Sequence, residues 1–171
     1  MHDKGFPPIA DARARILILG SLPGQVSLQR QQYYAQPYNA FWKIMGRLFG
    51  AGPELPYGER SQRLVQNGIA LWDVCAAAQR SGSLDAAIVP SSVVPNDLAA
   101  FIEGHPDIGL ICFNGGKAAD LYRRLVPARM PASERAIRYV TLPSTSPAHA
   151  AMPFEEKLRR WAAVLETENT R

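Results

Sequence analysis

The sequence predicts an α/β protein of three αβα layers, built around a central, mainly parallel sheet of four strands. Three observations carry this prediction. Four short apolar runs, at residues 15–19, 69–74, 108–113 and 137–142, have the length and β-branched content of buried strands. Segments with apolar side chains at three- and four-residue spacing lie between them, which points to crossover helices rather than hairpins. Glycine and proline clusters mark the boundaries.

Each element follows from local signals. Arg15-Ile16-Leu17-Ile18-Leu19 is the first strand, and it breaks into Gly20-Ser21-Leu22-Pro23-Gly24. A helix from Ala40 to Phe49 carries Phe41, Ile44, Met45, Leu48 and Phe49 at helical spacing, with Gly50 to end it. Phe41 and Trp42 are adjacent on that helix, so only one of them is expected to face the core. A short helix from Glu59 to Gln66 leads through Gly68 into the second strand, Ile69 to Val74. Pro90 to Pro95 reads as a loop. Asn96 or Asp97 caps a helix through Glu103, closed by Gly104 and Pro106. The third strand, Ile108 to Phe113, turns at Asn114-Gly115-Gly116 into a helix from Lys117 to about Leu125. A loop bearing Pro127 and Pro131 precedes the fourth strand, Ile137 to Leu142. Pro143 to Met152 is a loop, and Pro153 opens a last amphipathic helix with Phe154, Leu158, Trp161 and Leu165 on one face. On its other side, Glu155–Arg159 and Glu156–Arg160 are spaced to pair.

Composition sets outer limits. With 171 residues and 47% hydrophobic content, the chain is expected to form one domain over residues 1–171, held loosely only at residues 1–12 and 167–171. The net charge of +4 and pI near 9.3 suit a polyanionic partner, and the cations are mostly arginine, which can grip phosphate bidentately. Cys75 and Cys112 are isolated within apolar segments. Without a Cys-x-x-Cys pair they argue against a zinc ribbon or iron–sulfur cluster and for a reduced compartment. No apolar run approaches the roughly 20 residues of a membrane span, and the N-terminus lacks a signal-peptide pattern. A soluble, cytoplasmic protein without membrane contact is expected.

If the strands are parallel, their carboxyl-end turns (Gly20–Gly24, Asp73–Ala76, Asn114–Gly116 and Pro143–Ser146) share one edge, where open α/β sheets place ligands. Gly20 to Gly24, with Ser27 three places on, offers backbone amides without bulky side chains. The block Tyr33-Tyr34-Ala35-Gln36-Pro37-Tyr38-Asn39-Ala40-Phe41-Trp42 supplies aromatic faces and hydroxyls. Asn39 either caps the following helix or orients a water or base edge. Phe41 or Trp42 either packs or stacks on a ligand ring. Pro143, Ser144, Thr145, Ser146 and His149 form a stiff hydroxyl-rich loop suited to phosphate or to plain surface duty. Asn114 to Lys117 places a helix N-terminus beside a cation. Asp73 is the only carboxylate at an expected strand end, fit to polarise a water or to cap.

These blocks together resemble the uracil-DNA glycosylase superfamily, and most closely its hypoxanthine (deoxyinosine) branch. The motifs are Gly20-Ser21-Leu22-Pro23-Gly24, Asn39-Ala40-Phe41-Trp42-Lys43, Gly68-Ile69-Ala70-Leu71-Trp72-Asp73-Val74 and Leu142-Pro143-Ser144-Thr145-Ser146-Pro147, in that order from about Ile16 to Trp161. In mismatch-specific and uracil-specific relatives the first motif carries a water-holding Asn or Asp where this chain has Leu22. Leu142 likewise stands where relatives carry Asn or His to stabilise the departing base. The resemblance therefore implies Asn39 as the catalytic residue. It implies a base pocket of Gly20, Ser21, Leu22, Pro23, Gly24, Tyr34, Phe41 and Asn114, with Phe41 stacking on the base. Ser27, Lys117, Pro143, Ser144, Thr145, Ser146 and His149 would meet the DNA. The implied activity is monofunctional release of a deaminated base from damaged DNA by a monomer, with neither metal nor cofactor. A module that binds DNA and has lost catalysis is the alternative, favoured by Leu22 and Leu142.

Overall fold

The computed structural model describes residues 2–126 and 135–169. Pro127 and Pro131 of the expected loop, and residues 170–171, lie outside them. Four parallel strands form the central sheet in the order β3-β2-β6-β7: β2 (Ile16–Gly20), β3 (Ile69–Asp73), β6 (Leu110–Asn114) and β7 (Arg138–Leu142). Each expected strand is present, with its ends shifted by at most two residues.

The side-chain alternation of β2 builds both cores. Leu17 and Leu19 face a cluster completed by α4 (Leu98–Glu103) and α5 (Gly116–Leu125). Ile16 and Ile18 face the other cluster, completed by α2 (Phe41–Phe49), α3 (Tyr57–Gln66) and α6 (Phe154–Asn169). With both faces covered, the strands can be almost wholly apolar, and β2 and β6 are buried at every residue. Asp97 caps α4 through the Ala100 amide, 3.0 Å away, as its position predicted.

The structure corrects several expectations. Phe41 and Trp42 are both buried, 0% and 3% exposed. They sit in the first turn of α2, where each meets a different neighbour. Phe41 packs between Tyr34 and Trp161, while the Trp42 indole crosses Tyr57 and donates to the Tyr33 carbonyl at 2.8 Å. On α6, Arg159 and Arg160 both converge on Glu156, and Glu155 turns to Arg47. A second, three-stranded sheet was not foreseen: β1 (Asp3–Lys4), β4 (Cys75–Ala78) and β5 (Val94–Pro95), in the order β1-β4-β5. Through it the N-terminal residues, expected to be loose, pair Asp3 and Lys4 with Ala78 and Ala77, and separately Ile9 bridges to Leu71 of β3. A short helix α1 (Gln25–Arg30) directly after the first turn was likewise missed. Both cysteines are buried and free.

Candidate active site

Parallel strands bring the carboxyl-end turns to one edge, and a cavity of about 600 Å³ opens there. That is the size range of small-molecule sites. Gly20 to Ser27, Tyr34, Asn39, Asp73, Asn114 to Lys117 and Ser144 to His149 all border it. A further wall, Ser83 to Ala86, comes from the loop after β4. Its polar, aperiodic sequence gave no signal of this.

The opening loop is pinned from behind. The Ser21 hydroxyl donates to Asp85 Oδ1 at 2.6 Å, and the Gln25 amide donates to Ser83 Oγ at 2.9 Å. Arg80, its side chain wholly buried, donates to the carbonyls of Leu22 and Pro23 and pairs with Asp3 at 2.9 Å. Leu22 borders the cavity, yet its side chain is buried within the apolar cluster on that face of the sheet. Leu142 belongs to the opposite cluster. Neither can orient a water.

Asn39 is half-buried at the cavity wall, and its Oδ1 accepts from the Phe41 amide at 2.9 Å. Ala40 is the N-cap of α2, so Asn39 does not cap the helix itself but closes a turn onto its first amide while bordering the cavity. That bond fixes which side-chain atom is the oxygen, because only an acceptor can face an N–H. A carbonyl oxygen has a second lone pair, which remains for a water. Ala40 N donates to the Thr145 carbonyl at 3.0 Å and so ties this segment to the hydroxyl-rich loop.

Asn114 lines the cavity, and its carboxamide is tied to Thr145: Nδ2 donates one hydrogen to Oγ1 at 2.9 Å and Oδ1 accepts from the amide at 3.0 Å, which leaves the second Nδ2 hydrogen uncommitted. Gly115, at φ +94, lets the turn approach Ser144, whose Cβ would sit 3.1 Å from a side-chain carbon added there. Ser144 and Ser146 accept from the amides of Ser146 and Ala148, which leaves each hydroxyl proton to donate outward. Lys117 and exposed His149 stand at the rim. Ser27 borders the cavity, but its hydroxyl accepts from the Ala35 amide at 3.0 Å. Pro143 lies off the cavity, its carbonyl accepting from the Trp161 indole at 2.9 Å.

Phe41 requires a correction. It is fully buried and outside the cavity lining, with the Tyr34 ring laid over it at a centroid separation of 4.2 Å. The aromatic residues bordering the cavity are Tyr33 and Tyr34, and the stacking face expected of Phe41 is closed by Tyr34. Tyr34 holds a left-handed backbone, φ +54, a conformation a bulky residue adopts at a cost of about 1–3 kcal/mol.

Asp73 is the second group that position alone undervalued. It is buried, lines the cavity, and its Oδ2 has no hydrogen-bond partner; the Tyr34 hydroxyl is equally without one. Burial pushes the Asp73 carboxyl up to about 7, Asp85 adding to the shift and Arg80 opposing it. Burial first, then the Asp73 charge, raises the Tyr34 phenol, with the Asn114 carboxamide pulling the other way, so it stays a protonated donor. Both groups converge over Gly20. A Cβ there would lie 2.5 Å from Asp73 Oδ1 and 2.7 Å from the Tyr34 hydroxyl, so only glycine fits. Among the described residues, no cluster of His, Cys, Asp and Glu could hold a metal ion, and no helix is long and apolar enough to cross a membrane.

Comparison with known proteins agrees with this geometry. The family model described as the uracil DNA glycosylase superfamily matches residues 7–166. A Methanosarcina acetivorans protein named hypoxanthine DNA glycosylase is 38% identical over 167 residues, covering 96% of this chain and 98% of its own. A Methanosarcina barkeri protein of the same name is 39% identical over 121 residues, 70% of this chain and 75% of its own. The solution NMR structure of a candidate uracil DNA glycosylase from Methanosarcina acetivorans superposes with a TM-score of 0.79 at 35% identity, covering 98% of this chain and 99% of that one. The chain belongs to the uracil-DNA glycosylase superfamily.

Proposed function

We propose that this protein is a monofunctional DNA glycosylase of base-excision repair that releases hypoxanthine, with uracil or mismatched thymine as lesser substrates. The observation that carries this reading is the cavity at the sheet's carboxyl edge with Asn39 on its wall, in a chain of this superfamily whose curated relatives bear that name. A base inside a duplex cannot reach such a cavity. It must rotate out of the stack, which costs a few kcal/mol and least at a mismatch.

Cleavage passes through an oxocarbenium-like sugar, so the site needs a placed water and a stabilised leaving base more than a strong nucleophile. Asn39 holds the water through Oδ1, steadied by the Phe41 amide. The water oxygen bonds to the anomeric carbon, the glycosidic electron pair leaves with the base, and the water's proton ends on that base. Leu22 and Leu142 supply no polar help, which suits a base that departs more readily than an anionic uracil. Ser144, Ser146, Lys117 and His149 contact the DNA backbone at the rim. The whole chain acts as one glycosylase domain, as a cytoplasmic monomer, on double- or single-stranded DNA.

Duplexes carrying one deoxyinosine or one deoxyuridine test this directly. Alkali-labile breaks should appear at deoxyinosine first. Tight binding with no breaks at any lesion would instead leave a DNA-binding module that has lost catalysis.

A further inference from the structure

Five of the six tyrosines lie against another aromatic ring: Tyr33, Tyr34, Tyr57, Tyr122 and Tyr139. Tyr38 does not. Among the described residues its ring meets no other, and at 78% exposure it is the most exposed of the large apolar side chains. Its backbone is nevertheless fixed. Gln36-Pro37-Tyr38-Asn39 is a β-turn closed by the Asn39 amide, which donates to the Gln36 carbonyl at 2.9 Å, with proline where its set φ suits a turn. The Tyr38 amide donates to Gln36 Oε1, and the Ala40 amide donates to the Thr145 carbonyl at 3.0 Å. A rigid turn thus carries a free ring at its tip. A single exposed apolar side chain signifies little by itself, but the place of this one does. Gln36 and Asn39, the two ends of the turn, border the cavity, and Tyr38 between them does not. The ring therefore stands outside the wall on which Asn39 sits.

We propose that Tyr38 is a stacking platform for the unpaired base next to the flipped nucleotide, giving the protein a grip on single-stranded DNA that it lacks on a duplex. A nucleotide held in the cavity has a neighbour one phosphate away on the same strand, and that neighbour lies over the rim. In a duplex its base is paired and stacked, so both faces are taken. In a single strand a face is open. Stacking on an aromatic side chain is then tolerant of sequence, because every base has a π face. The net charge of +4 attracts the phosphates of either form and does not tell one strand from two. Strand selectivity therefore needs a group that reads the open face, and Tyr38 is an aromatic ring free to do so beside the cavity. The assignment rests on the glycosylase reading of that cavity.

Binding of non-cleavable DNA tests it apart from catalysis. Oligonucleotides with 2′-fluoro-deoxyinosine resist cleavage, because fluorine disfavours positive charge on the sugar. On the single strand, Tyr38→Ala should bind about fivefold or more weakly than wild type, and Tyr38→Phe, which keeps the ring, should bind like it. On the fully paired duplex all three should agree within about twofold. An abasic analogue placed 5′ or 3′ of the lesion removes one neighbouring base at a time. On one of the two sides it should weaken single-strand binding by wild type and abolish the difference from Tyr38→Ala. A 2-aminopurine on that side should lose fluorescence with wild type and Tyr38→Phe but not with Tyr38→Ala. Melting temperatures report whether each variant is folded. Wild-type affinity of Tyr38→Ala for the single strand, or an equal loss on the duplex, overturns the proposal. So does a loss that persists when either neighbouring base is absent, or one that Tyr38→Phe shares, since each points to a phosphate or hydroxyl contact instead. If the stacking behaviour appears yet no base leaves cleavable deoxyinosine DNA, single- or double-stranded, the glycosylase reading fails while the platform stands.

Discussion

Asn114 and Thr145 are joined by two reciprocal hydrogen bonds, at 2.9 and 3.0 Å, and both residues are buried. The pair bolts the end of β6 to the loop after β7, and the Thr145 carbonyl passes the constraint on to Ala40, next to Asn39. Asn114→Ala should therefore destabilise the fold by about 2–3 kcal/mol, because two buried groups of Thr145 lose their partner. Thr145→Val removes one bond of the two and should cost about 1 kcal/mol. Urea denaturation of both variants checks the order, and equal losses would contradict the shared clamp.

Asn39 carries two jobs that substitution can separate. Asn39→Ala loses the bond to the Phe41 amide, worth about 1 kcal/mol of stability. Under single-turnover conditions its base release should fall on the order of a hundredfold or more, while DNA affinity stays within about threefold. Asn39→Asp keeps an acceptor for that amide and should restore the stability. Wild-type release by Asn39→Ala would end the assignment of the water to this residue.

How far the sequence revealed this arrangement depends on the range of the interactions involved. Apolar runs and glycine turns predict β2, β3 and β6, since burial on both faces leaves a composition no loop shares, while the edge strand β7 buries only Leu142 fully and is read from its β-branched and aromatic residues. Their parallel order then brings Gly20, Asp73, Asn114 and Ser144 to one cavity. The β1-β4-β5 sheet was illegible because Asp3–Lys4 and Val94–Pro95 are two-residue strands held by pairing, with no periodic signal of their own. Phe41 was misassigned for a related reason. Which ring faces a cavity depends on the left-handed turn at Tyr34 and on Trp161 arriving from α6, both of them tertiary facts.

Asp73 should leave a mark on the pH dependence of stability. Its folded carboxyl titrates at about 7, against the ordinary 3.8, because burial and Asp85 disfavour the charge more than Arg80 favours it. Between those values the folded protein holds a proton that the unfolded chain has released. Stability should therefore fall as pH rises from about 4 to 7, with a slope approaching ~1.4 kcal/mol per pH unit from this group. Asp73→Asn removes the titration and should flatten that decline. Urea midpoints measured across this range check it, and parallel curves for variant and wild type would rule it out.

Arg80 is the residue on which the opening loop hangs. Its side chain is completely buried, pairs with Asp3 at 2.9 Å, and donates to the carbonyls of Leu22 and Pro23. Turning those carbonyls towards Arg80 holds Leu22 and Pro23 in place at the cavity wall. Truncation in Arg80→Ala strands two carbonyls and leaves the Asp3 carboxylate with the Gln25 side-chain amide, 3.1 Å away, in place of a charged partner, a loss of about 3–5 kcal/mol. Asp3→Asn keeps an acceptor for Arg80 and should cost less, about 1 kcal/mol. If the guanidinium's role is to position the loop, a folded Arg80→Lys variant should retain its stability better than its DNA affinity. A lysine can meet Asp3, but it cannot span Asp3 and both carbonyls with a planar fork. Chemical denaturation and DNA titration of the three variants decide this, and Arg80→Lys binding DNA like wild type would show that the loop holds its shape without the fork.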